Sequence, residues 1–319
     1  MQTPLGWAAS RFTLGPRALR ASTTAALFVS IIIVFTGGLV RVTASGLGCP
    51  TWPTCDGTSI APSAELGVHG VIEFANRVLT TVIVLAVGWV IVAARLQKPR
   101  LRSITRLAWS QFWLVVANAV AGGITVLVQL NPWVVALHFV LAIALLTTTT
   151  LTWHRVHEIP LPDGPIDSGI RRLAWSLIAV TAALVVVGTL ISGAGPHSGD
   201  SSEVPRMALD WTTVTIVHGV LAVSVVVLAA IMVVVSRGPG LRIRRVRSRL
   251  IVLLIVVAAQ GAVGTLQALS GLPPALVSFH LLGSALVWVG VLRVMLDSDP
   301  GLFGGVQAPE ARLTVPMEA

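Results

Sequence analysis

Long apolar stretches alternate along this chain with short segments that carry nearly all of its Lys and Arg. A helix needs about 20 apolar residues to cross the hydrocarbon core of a bilayer. Eight stretches meet that requirement, at approximately 22–42, 68–94, 104–129, 132–153, 170–193, 211–236, 246–269 and 274–296. The pattern predicts an all-α integral membrane protein with eight transmembrane helices. Pro132 and Pro274 stand where a helix can begin without losing a needed N–H. The first stretch reads as a span and not as a signal peptide, because its apolar region is too long and no small-residue cleavage site follows.

Composition agrees with this reading. Of 319 residues, 55% are apolar and 11% charged, against about a quarter charged in soluble domains. Mean hydropathy is +0.86. These values exclude a disordered chain and an ordinary cytosolic enzyme. The net charge of +9 does not point to nucleic acid, because the charges are confined to short inter-span clusters. Arg95, Lys98, Arg100, Arg102 and Arg106 lie around the second-to-third loop, and Arg237 to Arg249 around the sixth-to-seventh. The opposite loops hold little beyond Arg41 and Arg206. The positive-inside rule then places both termini in the cytoplasm.

A repeat runs through the chain. Asn76 matches His218, Asn118 matches Gln260, Gly122 matches Gly264, Pro132 matches Pro274 and His138 matches His280, all at an offset of 142. Thr36-Gly-Gly-Leu-Val resembles Val187-Gly-Thr-Leu-Ile at an offset of 151. An even number of spans per copy gives both copies the same orientation, and a pseudo-two-fold axis along the membrane normal is expected. The expected organisation is a cytoplasmic N-terminal tail (1–21), a four-helix bundle (22–153), a cytoplasmic linker (154–169), a second four-helix bundle (170–297) and a cytoplasmic C-terminal tail (298–319).

Ionisable groups inside spans are costly and mark functional sites. Here they are His69, Glu73 and Arg77 in the second span, His138 in the fourth, His218 in the sixth and His280 in the eighth. His138, His218 and His280 each lie about 10 Å into their helices at 1.5 Å per residue. They share one depth, near the outer surface. Facing histidines in a bundle can hold a haem iron or a bare metal. Zinc would want three or four strong ligands, so the pair His218 and His280 suits haem better. The first bundle differs, with Glu73, Asn76 and His138 where the second has Thr215, His218 and His280. Glu73 either pairs with Arg77 one turn away or serves as an acid/base group. Gly219, Gly283, Ser284 and Ala285 would leave room for a flat macrocycle. Cys49 and Cys55 lie in the first outer loop, where a disulfide is permitted, as a loop staple or as a redox pair. His154, His157 and His197 are expected at solvated loop positions.

The segment Gly37-Gly-Leu-Val-Arg-Val-Thr-Ala-Ser-Gly-Leu-Gly-Cys-Pro-Thr-Trp-Pro-Thr-Cys-Asp-Gly57, followed by Ile72-Glu-Phe-Ala-Asn-Arg77, resembles the haem A synthase family. Span count, repeat and histidine positions agree over nearly the whole chain. The resemblance implies oxidation of the C8 methyl of haem O to a formyl group by successive hydroxylations, supplying haem A to terminal cytochrome oxidase. It implies a resident haem b on His218 and His280, substrate haem O in the first bundle beside His138 and Glu73, and electron or haem transfer involving Cys49 and Cys55. It further implies a multi-pass plasma-membrane protein with its haem sites near the extracytoplasmic face. Its partners would include haem O synthase (protohaem farnesyltransferase), cytochrome c oxidase assembly factors and the lipid bilayer, but no nucleic acid.

One departure from the family pattern matters. Glu-x-x-His-Arg is common there, and this chain has Asn76 in the His place. The substrate iron would then have one imidazole or a borrowed group, for which His69, seven residues earlier on the same helix, is a candidate. Two other readings compete. A two-haem electron-transfer protein would carry two permanent haems, and a parallel-repeat transporter would need broken helices and mid-membrane polar residues.

Overall fold

The computed structural model describes residues 3–158, 161, 166–197, 199–299 and 301. Residues 302–319 of the expected C-terminal tail lie outside the described residues, as do 162–165 of the expected linker. A short helix, α1 (Pro4–Arg11), lies in the expected N-terminal tail. Eight long helices follow: α2 (Pro16–Val42), α3 (Gly67–Arg95), α4 (Arg102–Leu127), α5 (Pro132–His157), α6 (Ser168–Ala194), α7 (Trp211–Val235), α8 (Leu241–Leu269) and α9 (Pro274–Ser298). All eight are long and apolar enough to span a membrane.

Starts and turns follow local chemistry. Pro16, Pro132 and Pro274 occupy first-turn positions, and Asn131 caps α5 by accepting the Trp133 N–H at 3.1 Å. Leu130 and Leu272, related by the 142 offset, both take positive φ (55° and 61°) before those prolines. L-residues rarely adopt that region, so the repeat extends to backbone conformation. Several helices outrun their apolar stretches. α2 begins at Pro16, α5 continues through His157 into the expected linker, and α8 takes in Arg242 to Arg249. Arg is a good helix former and its long side chain reaches water from a helix end, so neither ends a helix.

The helix pairings recur between corresponding elements. α2 packs on α3 and α5 as α6 packs on α7 and α9, and α3–α4–α5 pack in series as α7–α8–α9 do. The halves meet where α2 and α5 face α9, through Leu27, Val34, Ile143, Leu146, Ala285, Trp288 and Leu292. Lipid tails are as apolar as these side chains, so close packing and interhelical hydrogen bonds must hold the bundle. Trp288 Nε1 donates to Thr147 Oγ1 at 2.9 Å across the joint, and Gln111 Nε2 donates to Thr152 Oγ1 at 2.6 Å between α4 and α5. Each such bond contributes about 0.6 to 1.7 kcal/mol.

Candidate functional site

The loop between α2 and α3 is the most heavily bonded irregular segment of the first half. Cys49 and Cys55 form a disulfide. Gly48 crosses the start of α3 so closely that a Cβ there would lie 2.2 Å from the His69 carbonyl oxygen. Arg77, one turn after Glu73, donates to the carbonyls of Thr54 (3.0 Å), Thr51 (3.0 Å) and Cys49 (3.2 Å). It also binds Glu73 Oε1 at 2.6 Å through Nη2 and 3.1 Å through Nε. Glu73 Oε2 accepts the Cys49 N–H at 2.7 Å. Glu73 is 6% exposed. The expected Glu73–Arg77 pair therefore forms, and it clamps the disulfide loop onto α3.

Below this loop lies a cavity of about 510 Å³, within the range of about 300–1,000 Å³ usual for small-molecule sites. Glu73, Asn76 and His138 all line it, with Arg41, Trp52 and Pro53 towards the loop and Ile83, Val115 and Leu145 at depth. Trp52 rests on Gly123, where a Cβ would come within 2.5 Å of the indole. Asn76 Oδ1 accepts the Thr36 hydroxyl at 2.8 Å. His69 is placed differently. It is exposed, bonded through Nδ1 to Ser45 Oγ at 2.9 Å, and absent from the described lining. Near the first turn of α3 it stands too close to the surface to share the cavity with Asn76.

In the second half the imidazoles of His218 and His280 face each other with ring centroids 6.4 Å apart. Two metal–nitrogen bonds of about 2 Å each, plus the reach from each ring centre to its nitrogen, fill that gap. Nδ1 of His138, His218 and His280 is buried without a regular hydrogen bond, and a backbone carbonyl of Asn118, Leu184 and Gln260, respectively, lies near each ring. Each carbonyl is a candidate acceptor for a ring N–H, which would leave the other ring nitrogen free. Each ring edge also sits on a glycine of a neighbouring helix. A Cβ would lie 3.2 Å from His138 at Gly122, 3.3 Å from His218 at Gly188 and 2.9 Å from His280 at Gly264. Gly37, which corresponds to Gly188, has nothing within 4 Å, because Asn76 stands where a fourth imidazole would be. No three His, Cys, Asp or Glu among the described residues gather as a bare-metal site would need. The donor set fits a haem iron, which His218 and His280 would hold.

Several expectations need correction. His154 is no surface residue: it is 7% exposed in the last turns of α5, 3.5 Å from Asp297. His157 stacks on Trp153 at 4.7 Å, and His197 bonds the Leu272 carbonyl at 2.8 Å. The partners of His154 and His197 come from distant parts of the chain, so local polarity gave no sign of them. Gly219 does face open space, but at Gly283 a Cβ would fall 1.9 Å from Gln260 Oε1, so that side chain takes the room. Ala285 is fully buried at the joint between the halves. Arg41, expected with the outer loop, lies in α2 and lines the cavity. Its in-span position beside Gly37-Gly38 was the available signal.

Comparison with known proteins places the chain. A heme A synthase of Symbiobacterium thermophilum is 30% identical over 189 residues, 56% of this chain and 60% of that protein. Heme A synthases of Staphylococcus epidermidis and Lysinibacillus sphaericus are 26% and 29% identical, over 58% and 61% of this chain. The matching stretches cover 66% and 62% of those two proteins, so the chain spans less than two thirds of each of these relatives. The model of the cytochrome oxidase assembly protein family COX15-CtaA matches residues 20–292. The chain, with eight long apolar helices among its described residues, a disulfide loop and histidines that face each other in its second half, belongs to this family.

Proposed function

We propose that the chain is a haem A synthase, an oxidoreductase that converts the C8 methyl of haem O to a formyl group by successive hydroxylations. The observation that carries this reading is the inequality of two corresponding sites. His218 and His280 face each other as a pair of iron ligands would, whereas the first half opens into a cavity that offers His138, Asn76 and Glu73. One site retains a cofactor and the other admits and releases a substrate. Haem b bound between His218 and His280 would supply one-electron transfer.

The chain's own groups then divide the work. His138 holds the substrate iron on one side. Asn76 is a weaker ligand than an imidazole and is engaged by Thr36, which favours exchange. Glu73 Oε1 stays on Arg77, while Oε2 carries a single hydrogen bond from Cys49 and can take up or deliver a proton beside the methyl group. Trp52 and Pro53 cover the cavity from the loop side and exclude water. On the positive-inside rule the basic clusters would put both termini in the cytoplasm and the two sites near the extracytoplasmic face of the plasma membrane. Haem O would then come from a protohaem farnesyltransferase and haem A would pass towards cytochrome oxidase assembly.

The test is haem extraction and chromatographic separation from cells carrying Glu73→Ala. Haem O should accumulate and haem A fall at least tenfold, the scale of general acid–base contributions being about 10²–10⁴. Undiminished haem A overturns the role of Glu73. An unaltered chain that forms no haem A from haem O overturns the function itself.

A further inference from the structure

The first cavity contains a cation that the proposed mechanism does not use. Its charged lining residues are Arg41, Glu73 and Arg77, and Glu73 is paired with Arg77. Arg41 is left over. No Asp or Glu among the described residues forms an ion pair with it. Its Nε donates to the His197 carbonyl at 2.9 Å and its Nη2 to the Ser192 carbonyl at 2.6 Å. A guanidinium has five N–H donors, so three remain. Asp200, in the adjacent loop, is already engaged: Oδ2 accepts the Leu47 N–H at 3.2 Å, and Oδ1 accepts the N–H and hydroxyl of Ser202. The corresponding position in the second half is Ser192, so the unpaired cation belongs to the first half alone.

The rest of the cavity has the opposite character. Ile83, Val115 and Leu145 are all at most 3% exposed and line its deep end. Ile83 lies about 24 Å along α3 from Gly67 at 1.5 Å per residue, whereas Arg41 is one residue from the outer end of α2. A site with an unneutralised guanidinium at one end and apolar walls at the other fits an amphiphile with an anionic end. Guanidinium donors suit carboxylates by geometry as well as by charge.

We propose that Arg41 is the counter-ion for a carboxylate of the ligand in the first cavity. The ligand's acidic edge lies at the joint between the halves and its apolar substituents point towards Ile83 and Leu145. This rests on the proposed haem reading, and deepens it by fixing which end of the macrocycle enters which end of the cavity.

The test compares haem carrying free propionates with haem dimethyl ester as probes, added to the purified full-length holoprotein. Binding is followed by quenching of tryptophan fluorescence, and His138→Ala identifies the part due to this cavity. The unaltered protein should bind the free acid at least tenfold more tightly than the ester, the scale of a hydrogen bond to a charged group. Arg41→Gln should abolish that preference while leaving ester affinity unchanged, and Arg41→Lys, which keeps the charge if the glutamine variant does not fold, should retain part of it. A preference for the acid that survives in Arg41→Gln overturns the proposal. Equal binding of acid and ester by the unaltered protein overturns it while the haem reading stands. Failure to bind either probe, or binding indifferent to His138→Ala, overturns both.

Discussion

Glu73 Oε2 accepts a 2.7 Å hydrogen bond from the backbone N–H of Cys49, so the carboxylate nearest the proposed chemistry is also a fastener of the disulfide loop. Arg77 completes the clamp by binding Glu73 and three loop carbonyls. Loop position and proton handling are thus linked through one side chain.

Removing the disulfide should therefore loosen the loop without releasing it. In the chain-entropy view a bridge over so short a loop contributes about 2 kcal/mol, and the Glu73–Arg77 clamp remains. The double variant Cys49→Ser, Cys55→Ser is expected to melt several degrees lower while retaining its resident haem. Loss of that haem in a folded double variant, measured by the pyridine haemochrome assay, would contradict this account.

The resident haem should depend on the second half alone. His280→Ala and His218→Ala are expected to lose it, and His138→Ala to keep it. Gly264→Ala should lower occupancy or alter the low-spin spectrum, since its Cβ would lie 2.9 Å from the His280 ring. Gly37→Ala, with open space around it, should leave resident haem content unchanged. Two equivalents of haem b held with equal tenacity by the unaltered protein would favour the electron-transfer reading instead.

Asn76→His restores the fourth imidazole at the place where Gly37 leaves room. The purified variant is expected to retain more haem in its first half than the unaltered chain, approaching two haems per chain, with a low-spin signature. No gain in haem content would show that the first cavity does not hold its ligand through that helix face.

At the opposite end, Glu158 binds Arg249 at 2.7 Å, Arg293 at 3.1 Å and Arg245 at 3.4 Å, tying the end of α5 to α8 and α9. Burial alone would push the Glu158 carboxyl up, but Arg249, with help from His154 and Arg245, outweighs it and holds the group below its ordinary 4.5. A carboxylate depressed on folding stabilises fully above its unfolded value and loses that contribution as pH falls through the folded one. Glu158→Gln should cost about 1 kcal/mol at neutral pH, solvent screening included, and flatten the fall in melting temperature below about pH 4.5. An unchanged acid profile would show that the cluster carries no stability.

The eight spans are legible in the sequence, because hydropathy is a local quantity, and the 142-residue spacing that relates His138 to His280 can be counted there. With two cysteines in the chain, Cys49 and Cys55 are the one pair that could bridge within it, and the structure decided that they do. Tertiary structure alone decided other matters. It put His154 beside Asp297, 143 positions away, moved His69 out of the cavity, fastened Glu73 to Cys49 and set Arg41 against the carbonyls of Ser192 and His197. Each of these depends on how one helix or loop meets another across a long stretch of chain. In a bilayer that meeting is governed by shape and hydrogen-bond geometry, since apolar side chains face lipid or protein at nearly equal free energy. The pattern of apolar positions specifies that a residue is in the membrane, and packing specifies what it faces there.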